Sequence, residues 1–156
     1  GTAGVDTIYG LGGNDTLLLV DNSATLADVA TDGLSISTVG MDVLVDAAAG
    51  DIINFTAPLG TDASYGALNQ VAAGGTITKT VAGTELNEFL GLYDAATDTF
   101  TSTATTAADS ASTTDVDAVM YLYATADGTT ADEGIIVIGT GTQADGAITA
   151  GVLTLA

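Results

Sequence analysis

The first eighteen residues of the chain are two successive copies of one nonapeptide, and no other feature constrains the fold as strongly. Both copies fit the frame G-x-x-G-x-D-T-U-x, in which U is an aliphatic residue. Glycine permits positive φ and close backbone approach, and it occupies the first and fourth positions of both copies: Gly1, Gly4, Gly10 and Gly13. Residues 7–9 and 16–18 follow as short strands, with Ile8 and Leu17 facing inward. Each copy is therefore predicted to be one sharp turn and one short strand.

The two turns also concentrate oxygen ligands. Asp6 and Asp15 end the turns, where a carboxylate can join turn carbonyls around a hard cation. Calcium takes roughly six to eight oxygen ligands, which matches such a mixed set. We therefore predict a calcium site within residues 1–22, with these ligands: Gly1, Ala3, Asp6, Gly10, Gly12, Asp15 and, as completing ligands, Asp21 and Asn22. The alternative is an ordinary pair of Gly/Asp-rich turns that binds nothing.

The tandem frame resembles the calcium-binding nonapeptide G-G-x-G-x-D-x-U-x of RTX (repeats-in-toxin) proteins, which builds a parallel β-roll. Residues 50–55 resemble the G-D-x-I-x-F stretch that follows such repeats, and residues 117–156 resemble the C-terminal module of type I secreted RTX and surface-layer proteins. The resemblance implies Ca²⁺ as the cofactor, an extracellular or bacterial cell-surface location, and export by type I secretion.

In that family calcium lies between turns two repeats apart, so a third repeat is expected at residues 19–27. The frame is lost there, and Ala24 stands at the expected aspartate position. Repeat units of this kind normally need neighbours to bury their apolar face. The roll is therefore expected to continue upstream, to pack on the rest of this domain, or to stack on another molecule.

Composition narrows the functional classes. The 156 residues include 20 acids and a single base, Lys79, for a net charge of −19. This charge repels nucleic acid and anionic membranes and attracts divalent cations. The chain has no His and no Cys, which removes the usual ligands of zinc, copper and haem and the bases of Ser-His-Asp and Cys-His catalysis. Hydrophobic residues make up 47%, enough for one domain with a core.

Further along the chain, alternating or continuous apolar runs predict strands at residues 34–37, 42–46, 51–55, 76–81, 118–123, 134–138 and 151–155. Residues 92–94 and 98–100 predict a hairpin, and 101–114 a Ser/Thr-rich surface loop. Two short helices are predicted at residues 64–73 and 84–90 from capping residues and apolar spacing.

An acidic loop at residues 126–133 is a second, weaker calcium candidate through Asp127 and Asp132. The alternating ligands of an EF-like loop are absent, which favours a solvated hairpin tip.

The predicted fold is mainly β: a short calcium-binding parallel β-roll at residues 1–22, continuous with a β-rich domain at 23–156 that has one or two short helices. The favoured function is a non-enzymatic extracellular subunit of a surface layer or filament, assembled and stabilised by calcium. Copies of itself are the expected partners, through the roll and residues 151–155, with cell-surface polysaccharide as a further candidate. The alternative is a C-terminal calcium-dependent folding and export module of a larger type I secreted toxin, adhesin or hydrolase. A glycosidase that uses only carboxylates is a distant third.

Overall fold

A computed structural model describes residues 6–10, 12–19, 33–55, 67–78, 85–123, 133–139 and 147–156 of the chain. These residues are mainly β, as the sequence predicts. The strands in chain order are β1 (Thr7–Tyr9), β2 (Thr16–Leu18), β3 (Ser35–Ser37), β4 (Asp42–Val45), β5 (Ile52–Asn54), β6 (Ala67–Val71), β7 (Glu85–Asp94), β8 (Thr99–Ser102), β9 (Asp115–Tyr123), β10 (Glu133–Ile138), β11 (Ala147–Thr149) and β12 (Val152–Thr154). In this part of the chain the one helical element is a 3-10 turn, Ala107–Asp109.

The described strands form two sheets. The larger sheet has the order β1-β4-β10-β9-β7-β8-β3, and β6 also pairs with β7. The smaller sheet has the order β11-β12-β5-β2. The two nonapeptide strands are divided between the sheets, because β1 belongs to the larger sheet and β2 to the smaller one.

Two apolar clusters cover the two faces of the larger sheet. The first joins both sheets and includes Ile53, Phe55, Tyr121 and Leu153, with Ile8 and Leu17 packed against it. The inward orientation predicted for Ile8 and Leu17 is thereby confirmed. The second cluster lies on the opposite face of the larger sheet and is built around strand residues such as Phe89, Phe100, Met120 and Ile136.

The central strands of the larger sheet are apolar on both faces because each face has its own cluster. Every residue from 118 to 123 is buried, and alternate residues of β9 belong to alternate clusters. Burial on both faces explains why this segment is a nearly continuous apolar run. At the chain's end, β12 lies between β11 and β5, and Leu153 and Leu155 are buried. Both edges of β12 are therefore paired within the chain, so this strand has no free edge for the pairing with other copies that is expected of residues 151–155.

Both predicted helices are wrong where the structure describes them. Residues 67–71 form strand β6, and residues 85–90 belong to strand β7. The two strands pair in parallel, eighteen residues apart, so that Leu68 lies beside Leu86 and Asn69 beside Asn87. Asn69 Nδ2 donates to Asn87 Oδ1 at 2.7 Å, which stacks the two amides as a ladder. Pairing along this repeated L-N frame replaces the local helical preference.

The predicted hairpin is confirmed, since β7 and β8 pair antiparallel across residues 95–98. The predicted loop at 101–114 begins two residues later than expected, because β8 continues to Ser102. Of the strand predicted at residues 76–81, the described residues show an isolated bridge between Ile77 and Gly33.

Candidate metal site in the stacked nonapeptide coils

The two nonapeptides stack on a second, degenerate copy of themselves. Strand β1 pairs in parallel with β4, with Thr7 opposite Val43, and β2 pairs in parallel with β5, with Thr16 opposite Ile52. Both pairings join residues 36 positions apart, so residues 1–18 have residues 37–54 as their counterpart. We call 1–18 the first coil and 37–54 the second coil. Among the described residues, the neighbour of the first coil is therefore at 37–54, and the third repeat expected at 19–27 lies outside the described residues apart from Leu19.

The aspartates at the sixth position of each nonapeptide link the two coils. The backbone N–H of Asp6 donates to Asp42 Oδ1 at 2.8 Å, and that of Asp15 donates to Asp51 Oδ1 at the same distance. The strand that follows is joined in each case by the next amide: Val43 N–H donates to the Asp6 carbonyl, and Ile52 N–H donates to the Asp15 carbonyl. The same contact therefore occurs twice, once in each sheet.

The carboxylates that accept these two hydrogen bonds are partly or fully buried. Burial raises the pKa of the Asp42 carboxyl, the backbone N–H of Asp6 lowers it, and the nearby Asp6 carboxylate raises it again, so that the net direction is upward. Asp51 is only 3% exposed, and its second oxygen accepts the N–H of Ala48 at 2.8 Å. A divalent cation between the coils would offset the cost of holding such carboxylates close together in partly buried positions.

The turns bring further oxygens to the interface between the coils. A methyl group on Gly10 would stand 3.2 Å from the carbonyl oxygen of Asp46 and 3.7 Å from Asp15 Oδ2. Gly10 is therefore a position where the backbone and two oxygens approach closely. The next turns are also in contact, since Asn14 Nδ2 donates to the Gly50 carbonyl at 3.2 Å. Gly50 has φ of 94° and leaves no room for a Cβ beside Asn14, so this contact requires glycine.

The structure places four of the predicted ligands. Gly10 and Asp15 lie together, Asp6 lies against Asp42 in the larger sheet, and Gly12 has the positive φ of a turn glycine. The remaining predicted ligands lie outside the described residues: Gly1, Ala3, Asp21, Asn22, Asp127 and Asp132. Within the described ranges, no group of three or more Asp or Glu side chains is arranged to hold a metal ion. A calcium ion between these coils would thus need carbonyl oxygens beside its carboxylates, which is the donor set calcium accepts.

Sequence reasoning missed Asp42 and Asp51. The signal was present but faint, because the two coils share few residues at a spacing of 36. The shared residues are Thr2 with Thr38, Gly4 with Gly40, Asp6 with Asp42 and Asp15 with Asp51.

The stack of coils has one open and one closed end among the described residues. Beyond the first coil, β1 and β2 are the edge strands of their sheets, whereas beyond the second coil β10 covers β4 and β12 covers β5. Tyr9 and Leu18, the last residues of the two edge strands, are 61% and 46% exposed. A cavity of about 170 Å³ opens between these strands, with Ile8 and Leu17 in its wall.

Among the described residues, no helix has the length and apolar character needed to cross a membrane. No protein family, curated protein or solved structure matches this chain. The resemblance to RTX proteins therefore rests on sequence motifs alone, in residues 1–18, 50–55 and 117–156.

Proposed function

We propose that this protein is a non-enzymatic structural subunit of the extracellular space or bacterial cell surface, stabilised by calcium between its coils and joined to other copies through its first coil. The observation that carries the proposal is that the first coil ends both sheets at the same end of the molecule. Within the described residues, β1 pairs with β4 alone and β2 with β5 alone.

Calcium is supported by the chemistry of the coil interface. Aspartates lie in pairs at this interface, and the atoms that could bind a cation there are oxygens. The whole chain carries a net charge of −19. A cation that binds the stacked coils and not the unfolded chain stabilises the stack by mass action. The extracellular location is supported by the resemblance of the repeats to those of secreted RTX proteins.

Assembly is supported by the open end. Unpaired strand edges accept further strands unless something covers them. Here two such edges lie side by side, each ends in an exposed apolar residue, and a cavity lined by apolar side chains separates them. Because the other end of the stack is covered by β10 and β12, two copies would meet open end to open end. Such a contact is isologous and joins copies in pairs, so a layer or filament would need a second contact elsewhere.

The difference between the open end of the coil stack and the end covered by β10 and β12 also favours a second candidate function. A chain that closes one end of a coil stack with its own strands, and whose described residues leave the other end open, is suited to terminate a longer roll. This supports the alternative of a C-terminal calcium-dependent folding and export module of a larger type I secreted protein.

One experiment separates the two functions. The molar mass of the purified chain is measured by light scattering with calcium and with chelator, and any polymers are examined by electron microscopy. The double substitution Tyr9→Lys/Leu18→Lys places charges on the two open edges, and Leu34→Lys/Val116→Lys changes two exposed apolar residues elsewhere as a matched control. We expect calcium-dependent association in the wild type and the control, and monomers in the edge variant.

Monomers at saturating calcium in the wild type would overturn the assembling subunit and favour the terminating module. Association that is unchanged in the edge variant would show that the first coil is not the contact.

A further inference from the structure

A cleft of about 200 Å³ lies where the turn before β4 meets the hairpin between β7 and β8. Thr38, Val39 and Met41 of the turn form one wall, and Tyr93 and Asp98 form the other. The two walls are joined through the backbone, because Thr38 N–H donates to the Asp98 carbonyl at 2.7 Å. The cleft lies on the face of the larger sheet opposite the smaller sheet, since Met41 and Tyr93 belong to the second apolar cluster.

The hydroxyl of Thr38 is buried without a partner. The residue is 4% exposed, and its Oγ1 forms no hydrogen bond. The oxygen does lie close enough to the Tyr93 phenol to lower the pKa of that group, but not in hydrogen-bonding geometry. The backbone of Thr38 is satisfied, because its carbonyl accepts Met41 N–H at 2.9 Å. A buried polar atom left unpaired is costly, which points to a group that it binds.

The opposite wall carries a carboxylate on a strained backbone. Asp98 has φ of 48°, in the left-handed region that costs energy for a residue other than glycine, although Asp tolerates it better than most. Its charge acts on the buried Tyr93, whose pKa is raised first by burial and then by Asp98. Strain of this kind tends to occur at functional positions.

The rim adds an apolar surface. Val39 is 66% exposed at the second position of the turn 38–41, and Gly40 follows with φ of 100°. A positive φ at the third position is what a type II turn requires. The turn thereby holds Val39 beside the polar groups of the cleft.

We propose that this cleft binds one neutral sugar ring. A sugar supplies both donors and acceptors, which match the Thr38 hydroxyl, the Tyr93 phenol and the Asp98 carboxylate, and its C–H face suits Val39 and Met41. The volume is below that of pockets for drug-sized ligands and suits a single ring. Anions are disfavoured by Asp98 and by the net charge of −19, and one carboxylate is too few for a bound calcium ion. The cleft borders the coil stack, because Thr7 of β1 and residues 38–41 and 43 of the second coil line it, but none of the predicted calcium ligands does.

The test is a titration of the full-length, isotope-labelled chain by NMR, with and without a calcium chelator. The probes are the methyl glycosides of glucose, galactose, mannose and N-acetylglucosamine at millimolar concentrations, with glucuronate and methylammonium as charged counterparts. We expect at least one neutral glycoside to cause saturable shifts at Thr38, Tyr93 and Asp98, in both calcium conditions.

Four variants locate the binding. Thr38→Val removes the hydroxyl at nearly constant shape, and Asp98→Asn removes the charge while tolerating the positive φ. Each is expected to weaken binding roughly tenfold, or about 1.4 kcal/mol. Thr38→Ser is expected to retain binding, and Asp109→Asn, an exposed control distant in sequence, to leave it unchanged.

Thermal unfolding measured beside each titration verifies that the variants are folded. Three results would overturn the proposal: no saturable shift with any neutral glycoside, which means that water alone fills the cleft; equal binding by Thr38→Val and the wild type; or a preference for methylammonium or glucuronate over the glycosides.

Discussion

The coil stack and the central strands of the larger sheet are held together by different forces. In the central strands β7, β9 and β10, apolar side chains are buried on both faces, and the buried polar side chains Asn87 and Glu88 are hydrogen-bonded to other side chains. In the coil stack, each strand pair is three residues long, and the contacts between coils are made by aspartates and turn glycines. Burial of apolar surface needs no cofactor, whereas closely spaced carboxylates become less costly when a cation is bound. We therefore expect the central strands to be stable without a cofactor and, on the proposed function, the coil stack to respond to calcium and pH.

The largest effect is expected from a cavity in the central strands. Phe89 is buried in the second cluster, so Phe89→Ala should lower the free energy of unfolding by about 3–5 kcal/mol. The loss should be equal with calcium and with chelator, because Phe89 lies on β7, whose paired strands β6, β8 and β9 belong to neither coil. Chemical denaturation in both conditions measures it, with Val116→Ala, an exposed position, as the control. A loss that depends strongly on calcium would contradict the division between the two regions.

Short apolar strands that are clearly bounded by turn residues could be predicted from the sequence. The nonapeptide frame predicts β1 and β2, and the strands at 42–45, 52–54 and 133–138 follow from their apolar runs. In each case local pattern and tertiary burial favour the same structure, which is the condition under which pattern reasoning succeeds.

The segments that were predicted wrongly depend on pairing partners. Residues 67–71 and 85–90 have helix-like spacing, but each forms a strand because the other lies beside it in the same register. The repeat ALNQV and ELNEF, eighteen residues apart, was the available signal. The second coil was missed for a related reason: only one threonine, one turn glycine and the two aspartates are retained, and the stacked strands carry different side chains. Parallel pairing between strands 36 residues apart is a non-local interaction, so it cannot be inferred from any short stretch of the sequence.

A smaller effect on the free energy of unfolding is expected at high pH, where Tyr121 of the central strand β9 would ionise. This effect should grow continuously with pH. Tyr121 Oη donates to Glu88 Oε2 at 2.8 Å in the buried core, and burial followed by the Glu88 charge raises the pKa of Tyr121 above its usual value. A group whose pKa is raised by folding contributes stability below its unfolded pKa and loses it above, so stability should fall as pH rises above about 10. The slope for one phenol is at most about 1.4 kcal/mol per pH unit.

Denaturation of the wild type and Tyr121→Phe across this range measures the slope. The variant loses a hydrogen bond and is less stable throughout, but its slope should be shallower. Parallel slopes would show that Tyr121 titrates as freely in the folded chain as in the unfolded one.

The smallest effect on stability is expected from Asp42→Asn in the coil stack. The sign of this effect should differ between the calcium-free and the calcium-bound protein. Asp42→Asn keeps an oxygen to accept the Asp6 N–H and removes the charge that burial and Asp6 disfavour. Without calcium the variant should therefore stabilise the stack slightly, by less than about 1 kcal/mol because the site is partly solvated. With calcium it should weaken the stack, because the cation loses a carboxylate ligand.

The stability of the wild type relative to Asp42→Asn should also change with pH in a defined direction. The pKa of Asp42 is raised by folding, so the wild type without calcium should gain stability as pH falls through that raised pKa, and its difference from Asp42→Asn should close. Amide exchange at the Val43 N–H, which bonds the Asp6 carbonyl, measures the local opening of the stack. Asp109→Asn, in the 3-10 turn, serves as the control for loss of one negative charge. If Asp42→Asn has the same sign with and without calcium, the coil interface does not hold the cation, and its aspartates act only as acceptors for the neighbouring backbone.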